Sequence, residues 1–241
     1  MINPALTLSH AEKRARNASK RATTLSFLAS GECYTTLSVI SDLLQVSEQT
    51  ALPLLKKLIG EKILIAEANA LPFSRLKLYG ITAHGIALTE SAHPQCREFR
   101  TGTTNPSHLM HHLEGQRVRI VAERAGWTGW LPGKMLLVEN ERRLKKLPDA
   151  LAIRPDGRRV AVEIERFVKS RQRMAGIMGA HLAQIIAGHY DLVYYFTSHQ
   201  AALQRVLAGV EYVIVDGAKV TLAEPHRARF KNFDISAGGI N

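Results

Sequence analysis

The 241-residue sequence predicts an α/β protein in two parts. The first is helical and closed by two strands. In the second, a long helix, three strands, a helix and a further strand follow in that order. Three observations predict this. Apolar residues recur at helical spacing in short stretches between 19 and 59. Alternating Val, Ile and Ala runs flank Arg154-Pro155-Asp156-Gly157. A compact, almost wholly apolar run, Leu192 to Thr197, reads as a strand buried on both faces.

Residues 1–18 are polar, with Lys13, Arg14 and Arg16, and are expected to form a mobile or weakly helical basic arm. It serves either phosphate contacts or solubility. Lys20 to Ala29 has helical spacing. Thr35 or Thr36 can cap a helix over Leu37 to Leu44, and Gln45-Val46 is the turn after it. Ser47 is a candidate N-cap for a third helix running to Ile59, with Ala51, Leu54, Leu55 and Leu58 on its apolar side. Pro53 falls within its first turns, and Gly60 ends it. Ile63 to Ala66 and Arg75 to Tyr79 are expected strands. A short helix follows Ile81-Thr82-Ala83-His84-Gly85.

Three helices, two strands and the ending Tyr79-Gly80-Ile81-Thr82-Ala83-His84-Gly85 resemble the winged helix-turn-helix fold. The resemblance implies a DNA-binding domain over 19–92 whose third helix enters the major groove. It places Ser47, Glu48, Gln49 and Thr50 near base edges, and Lys56, Lys57, Arg75 and Lys77 near phosphates. Some winged helices make only protein contacts, and the charge of residues 1–100, +4 from 12 basic and 8 acidic residues, does not decide between them.

Residues 93–106, with Pro94, Gly102 and Pro106, read as a linker to a second domain at 107–241. Ser107 to Ala125 is one helix ended by Gly126. His108, His111 and His112 near its start read as ordinary helix histidines, with contact to DNA left open, since no carboxylate partner is obvious beside them. Met135 to Glu139 is expected to be a strand. Arg142, Arg143, Lys145 and Lys146 form either a solvated loop or one that grips phosphate.

Pro155-Asp156-Gly157 suits a three-residue hairpin loop with glycine in the left-handed position. That loop sets Arg154 against Arg158 and Asp149 against Glu163, with Glu165 on the same face. A two-residue loop would turn Glu163 away. Three carboxylates so placed repel unless a cation, a proton or water relieves them. The plain alternative is solvated acids on an edge strand.

Pro148-Asp149 and Glu163-Ile164-Glu165 across a hairpin resemble the PD-(D/E)xK nuclease signature, with Glu165 where that family usually has lysine. The resemblance implies a restriction-endonuclease-like α-β-β-β-α-β fold and a divalent ion, Mg²⁺ or Mn²⁺, held by Asp149 and Glu163. Glu165 is then a further ligand or orients water, and Lys169 is the catalytic cation. The first helix of such folds often adds an acid, here Glu123 in preference to Glu114. After Glu165, the basic run Arg166, Lys169, Arg171 and Arg173 opens a helix to about Ala187, where positive charge opposes the helix dipole and favours an anion. Ala201 to Leu207 is helical. Tyr212 to Val215 is a buried strand, with Lys219 to Leu222 pairing back, and His226 to Lys231 is extended.

An N-terminal winged helix followed by Leu147-Pro148-Asp149-Ala150, Val162-Glu163-Ile164-Glu165, Lys169-Ser170-Arg171-Gln172-Arg173 and Tyr190-Asp191-Leu192-Val193-Tyr194-Tyr195-Phe196 is similar to the replication-relaxation family, and within it to MobC-type plasmid relaxases. Membership implies metal-dependent nicking of one strand at a plasmid origin of transfer, alongside accessory mobilisation and coupling proteins. Tyr190, Tyr194 or Tyr195 as nucleophile stays open, but their apolar setting favours core packing.

The net charge of +11 favours a polyanion, either nucleic acid or an anionic membrane surface. No apolar run suffices to span a bilayer and no signal peptide is visible, so a cytoplasmic location is expected. Cys33 and Cys96 lack metal-ligand spacing. A DNA-binding regulator, a replication-initiation factor and a scaffold of the transfer machinery are the non-catalytic alternatives.

Overall fold

The computed structural model describes residues 9–68, 76–139, 144 and 146–235. The protein is mixed α/β and divides into two compact units, Met1–Pro106 and Ser107–Asn241. Among the described residues no helix is long and apolar enough to cross a membrane.

Unit 1 begins with α1, His10–Phe27. Ser9 and Glu12 form a capping box at its start, so the expected arm is regular helix from His10 onward. The helix passes into a wide turn at Leu28–Glu32, where Gly31 has φ 114°. A short strand that sequence reasoning did not foresee, β1 (Tyr34–Thr36), leads into α2 (Leu37–Leu44). Thr36 accepts from the Val39 amide as N-cap. Gln45 takes the left-handed conformation (φ 53°) that turns the chain into α3, Glu48–Gly60, capped by Ser47. α3 runs through Pro53, which lies on its exposed side, while Ala51, Leu55 and Leu58 are buried.

β2 (Leu64–Glu67) and β3 (Leu78–Ile81) complete a three-stranded antiparallel sheet in the order β1-β3-β2. β3 starts three residues later than expected. Thr82 caps α4, Ala83–Ala87. The segment expected to be a free linker is pinned to this unit. Phe99 N donates to Ile81 O, and the Phe99 ring fills the space where a side chain at Gly80 would sit. Cys33 and Cys96 form no disulfide.

Unit 2 opens with α5, Pro106–Arg124. Its five-stranded sheet has the order β10-β7-β6-β5-β4. The strands are β4 (Thr128–Pro132), β5 (Ala150–Ile153), β6 (Arg159–Ile164), β7 (Leu192–Thr197) and β10 (Phe230–Asp234). β4, β5 and β6 are antiparallel, and β6, β7 and β10 are parallel. The parallel β6–β7 crossover is α7, Arg171–Ile186.

Side-chain alternation sorts the sheet into two faces. Ala150, Ala152, Val160, Val162 and Ile164 meet Val118 and Ala122 of α5. Ala161, Val193 and Tyr195 meet Met174, Met178 and Leu182 of α7, with Leu203 and Leu207 of α8 (Gln200–Ala208). Helices therefore cover both faces.

Three expectations change here. Met135 to Glu139 is not a strand but lies within α6, Gly133–Glu139. The edge position beside β5 belongs to β4, and the chain turns at Gly133, whose amide donates to Asp149 O at 2.7 Å. A side-chain carbon there would sit 2.4 Å from Pro148 O. A short apolar run does not reveal its period, so strand and helix look alike in sequence. The strand β8 (Tyr212–Val215) is only half buried, with Tyr212 and Ile214 exposed, and pairs with β9 (Ala218–Thr221) outside the main sheet. The C-terminal basic stretch instead contains α9, Glu224–Arg227, followed by β10.

Candidate functional site

The β5–β6 hairpin has the loop read from its sequence. Gly157 has φ 83°, its amide donates to Arg154 O, and Arg154 N donates to Arg158 O at 2.9 Å. Ala150 faces Val162 and Ile153 faces Arg159. At the open end the ladder changes. Asp149 N donates to Val162 O at 3.0 Å, one residue short of Glu163. This bulge re-aims the carboxylate. Ile164 N donates to Asp149 Oδ2 at 2.7 Å, so the carboxylate takes the place of the next backbone carbonyl along the strand. The expected pairing of Asp149 and Glu163 as squarely opposed neighbours is thus corrected. Asp149 extends the ladder, and Glu163 points with Ala161 into the α7 layer, beside its β7 partner Tyr195.

Each acid is held by the protein's own bases. His111 Nε2 of α5 stands 3.0 Å from Asp149 Oδ1. Lys146 Nζ donates to Glu163 Oε1 at 2.6 Å. His181 Nε2 of α7 lies 3.1 Å from the same oxygen, off the hydrogen-bond direction. Lys169 Nζ donates to both oxygens of Glu165. Glu163 and Glu165 are buried. Buried carboxylates persist as ions only with such partners.

Electrostatics tie Asp149, Glu163, Lys146 and His111 together. The Asp149 carboxyl sits below its ordinary range. Burial pushes it up, but the His111 hydrogen bond and charge, the Ile164 amide and the Lys146 charge outweigh that. His111 is raised, chiefly by its hydrogen bond to Asp149 and against burial, with Glu114 and Glu163 adding negative field.

Behind Glu163 lies a buried aromatic shell. Tyr190 Oη is 2.7 Å from His181 Nδ1. Tyr195 Oη is buried with no hydrogen-bond partner among the described residues. Burial, with Glu163 nearby, pushes both phenols up. Neutral, core-packed phenols are poor nucleophiles. Tyr194 is also buried, its hydroxyl accepting from Arg154.

The remaining sequence candidates fall in several places. Glu123 does not join the acids: it pairs with Arg119 at 2.7 Å. It also lies twelve residues beyond His111, about 18 Å along the helix. Glu114, one turn from His111, is the α5 acid that reaches this region, and it pairs with Arg166 at 3.3 Å. Lys146, read as a phosphate contact, pairs with Glu163 here. Arg171 packs against Gly209, and Arg173 is exposed behind the Ser170 cap. Ser47, Gln49, Thr50, Lys56 and Lys57 are exposed on α3, and Lys77 lies over the Tyr79 ring at 5.6 Å. Arg75, Arg142, Arg143 and Lys145 lie outside the described residues.

Sequence reasoning missed His111 and His181. The signal for His111 was present: i and i+3 spacing puts it on one face with Glu114 at the helix start. His181 is marked only by being a polar residue within an apolar helical stripe.

Among the described residues no group of three or more His, Cys, Asp or Glu side chains is gathered closely enough to hold a metal ion. The donors nonetheless suit a hard divalent cation, being carboxylate oxygens. The Lys146 ammonium, bonded to Glu163 and acting by charge on Asp149, is a cation standing against both acids. No family model, curated protein or solved structure matches this chain.

Proposed function

We propose that the chain is a divalent-metal-dependent DNA endonuclease, a relaxase-type nickase in which a winged-helix-like unit 1 anchors DNA and a PD-(D/E)xK-like unit 2 cuts it. The observation that carries this reading is the mouth of the β5–β6 hairpin, where Asp149 and Glu163 share the field of one cation, Lys146. The order α5, β4, α6, β5, β6, α7, β7 supports it, because with the short helix α6 set aside as an insertion after β4 it follows the α-β-β-β-α-β order of that nuclease fold. The net charge of +11 suits a DNA partner.

In this reading Asp149 and Glu163 would hold Mg²⁺ or Mn²⁺, which would supply Lewis-acid chemistry for phosphodiester hydrolysis. His111 fixes the Asp149 carboxylate, and His181, itself held by Tyr190, backs Glu163. Lys146 swings from Glu163 onto a phosphate oxygen. Lys169, hydrogen-bonded to Glu165, lies ready to offset developing charge. Water as nucleophile needs no covalent protein–DNA link. The resemblance to MobC-type relaxases makes a plasmid origin of transfer the substrate, and accessory mobilisation and coupling proteins the partners.

The test is nicking of supercoiled origin-bearing plasmid by purified protein. With Mg²⁺ or Mn²⁺ the expected product is an open circle, absent for Asp149→Asn and for Glu163→Gln when tryptophan fluorescence shows both variants folded. Undiminished nicking by both variants ends the assignment. A second reading, DNA binding without cleavage, is favoured by the pairing of every hairpin acid with a protein base. It predicts tight plasmid binding and no open circle with any divalent ion.

A further inference from the structure

We infer that unit 1 grips the sugar-phosphate backbone of DNA in a groove between α1 and α3, with little regard to base sequence. The groove holds about 490 Å³. Arg14, Asn17, Ala18 and Arg21 line it from α1, with Lys20 beside them. Thr50, Pro53, Leu54 and Lys57 line it from α3. Each set recurs at i, i+3, i+4 and i+7, so each helix contributes one face along its length.

The charge in the groove is one-sided. It holds four bases, and no acid lines it. Arg21 and Lys57 share a single carboxylate, Glu61, at the end of α3. Among the described residues Arg14 and Lys20 have no carboxylate partner. Four clustered bases repel one another, and a phosphodiester strand lying between the helices relieves that repulsion.

The floor decides what part of the nucleic acid is read. Pro53 and Leu54 offer no side-chain hydrogen-bonding group, and Thr50 offers one hydroxyl. Bidentate readers of base edges are Arg, Lys, Asn and Gln; on this face of α3 only Lys57 qualifies, partly held by Glu61, and Arg14, Asn17 and Arg21 stand on the α1 wall, not on the helix expected to meet base edges. Contacts to phosphate position a protein but carry no sequence information. The α1 wall along the same face of α3 thus makes a backbone clamp.

This inference rests on the DNA-binding part of the proposed function and not on cleavage. The experiment measures anisotropy of the full-length protein on two short duplexes of unrelated sequence over a salt series without divalent metal. Both duplexes are expected to bind within about threefold of each other. Each lost phosphate contact lowers the slope of log K against log salt by about 0.9. Arg14→Ala combined with Lys20→Ala should therefore lower it by about 1.8 on both duplexes. Arg97→Ala, which removes one charge from the segment after α4, should leave the slope unchanged. Circular dichroism checks that the double variant keeps its helices. An unchanged slope in the double variant, or an effect confined to one duplex, overturns the proposal. Nicking is scored separately: its absence removes the enzyme and leaves the clamp, and an unchanged slope does the reverse.

Discussion

Glu163 is 6% exposed, with Lys146 and His181 against one of its oxygens, whereas Arg14 and Lys20 stand on an open groove with no acid beside them. Both regions concentrate charge, but the physics differs. In unit 2 the acids have left water, so each needs a built partner, and removing one strands the other. In unit 1 the bases keep their hydration, hold little folding energy and stay available to a ligand. The comparison teaches that a charge cluster in sequence does not announce its role. Burial decides whether it is structural capital or a binding surface.

The largest expected effect comes from removing Glu163. Glu163→Ala leaves Lys146 and the fully buried His181 without their carboxylate. Breaking a buried ion pair from one side costs about 3–5 kcal/mol, and the partial exposure of Lys146 puts this case near the lower end. Both tryptophans, Trp127 and Trp130, lie in unit 2, so their fluorescence in a urea titration reads that unit alone. Adding Lys146→Met should recover part of the loss. A cost below about 1 kcal/mol would place Glu163 with the exposed charges of unit 1 and break the contrast.

Much of this contrast was legible in the sequence, for reasons tied to particular residues. Pro155-Asp156-Gly157 fixed the hairpin register from Ala150 to Ile153, because only a few backbone conformations suit that triplet. Ser47 and Thr36 marked helix starts by the hydrogen bonds they can accept. The bulge at Asp149 was not legible: Pro148 precedes it, but a proline marks a strand's start as readily as a bulge. Nor was the partner of each acid. His111, Lys146 and His181 come from α5, the loop before β5, and α7, and sequence spacing says nothing about contacts the tertiary fold creates. The strand assigned to 135–139 failed because its apolar run is too short to show a period. β1 and β10 were missed for want of any alternating run.

His111 and Asp149 sharpen the contrast at a site between the extremes, each about one-third exposed at the side chain. His111 is raised by Asp149, so its contribution is fully present below its unfolded value near 6.5 and is lost as pH rises through the higher folded value. Asp149 is lowered, so its contribution is present above about 3.9 and is lost as pH falls through the lower folded value. The pair therefore stabilises unit 2 most between about pH 4 and 6.5. Solvent screening limits it to about 1 kcal/mol or less. The stability gap between wild type and His111→Gln, read by tryptophan fluorescence, should be widest near pH 5–6 and should close above neutrality. A gap that widens with pH would mean that His111 acts as a neutral packing residue.

The smallest stability effect, and the most direct probe of unit 1, is Glu61→Gln. Glu61 pairs with Arg21 and stands 3.8 Å from Lys57, all at the surface. Exposed pairs contribute about 0–1 kcal/mol and fade with salt, so unit 1 should lose less than that in a thermal melt followed by circular dichroism. DNA affinity should move the other way. The substitution removes the one acid that competes with phosphate for Arg21 and Lys57, so binding should tighten several-fold at low salt, with a steeper salt dependence. The opposed signs separate a ligand-facing surface from a structural one. If Glu61→Gln instead weakened both folding and binding, Glu61 would be holding the two helices together in the way Glu163 holds Lys146, and the two units would not differ in kind.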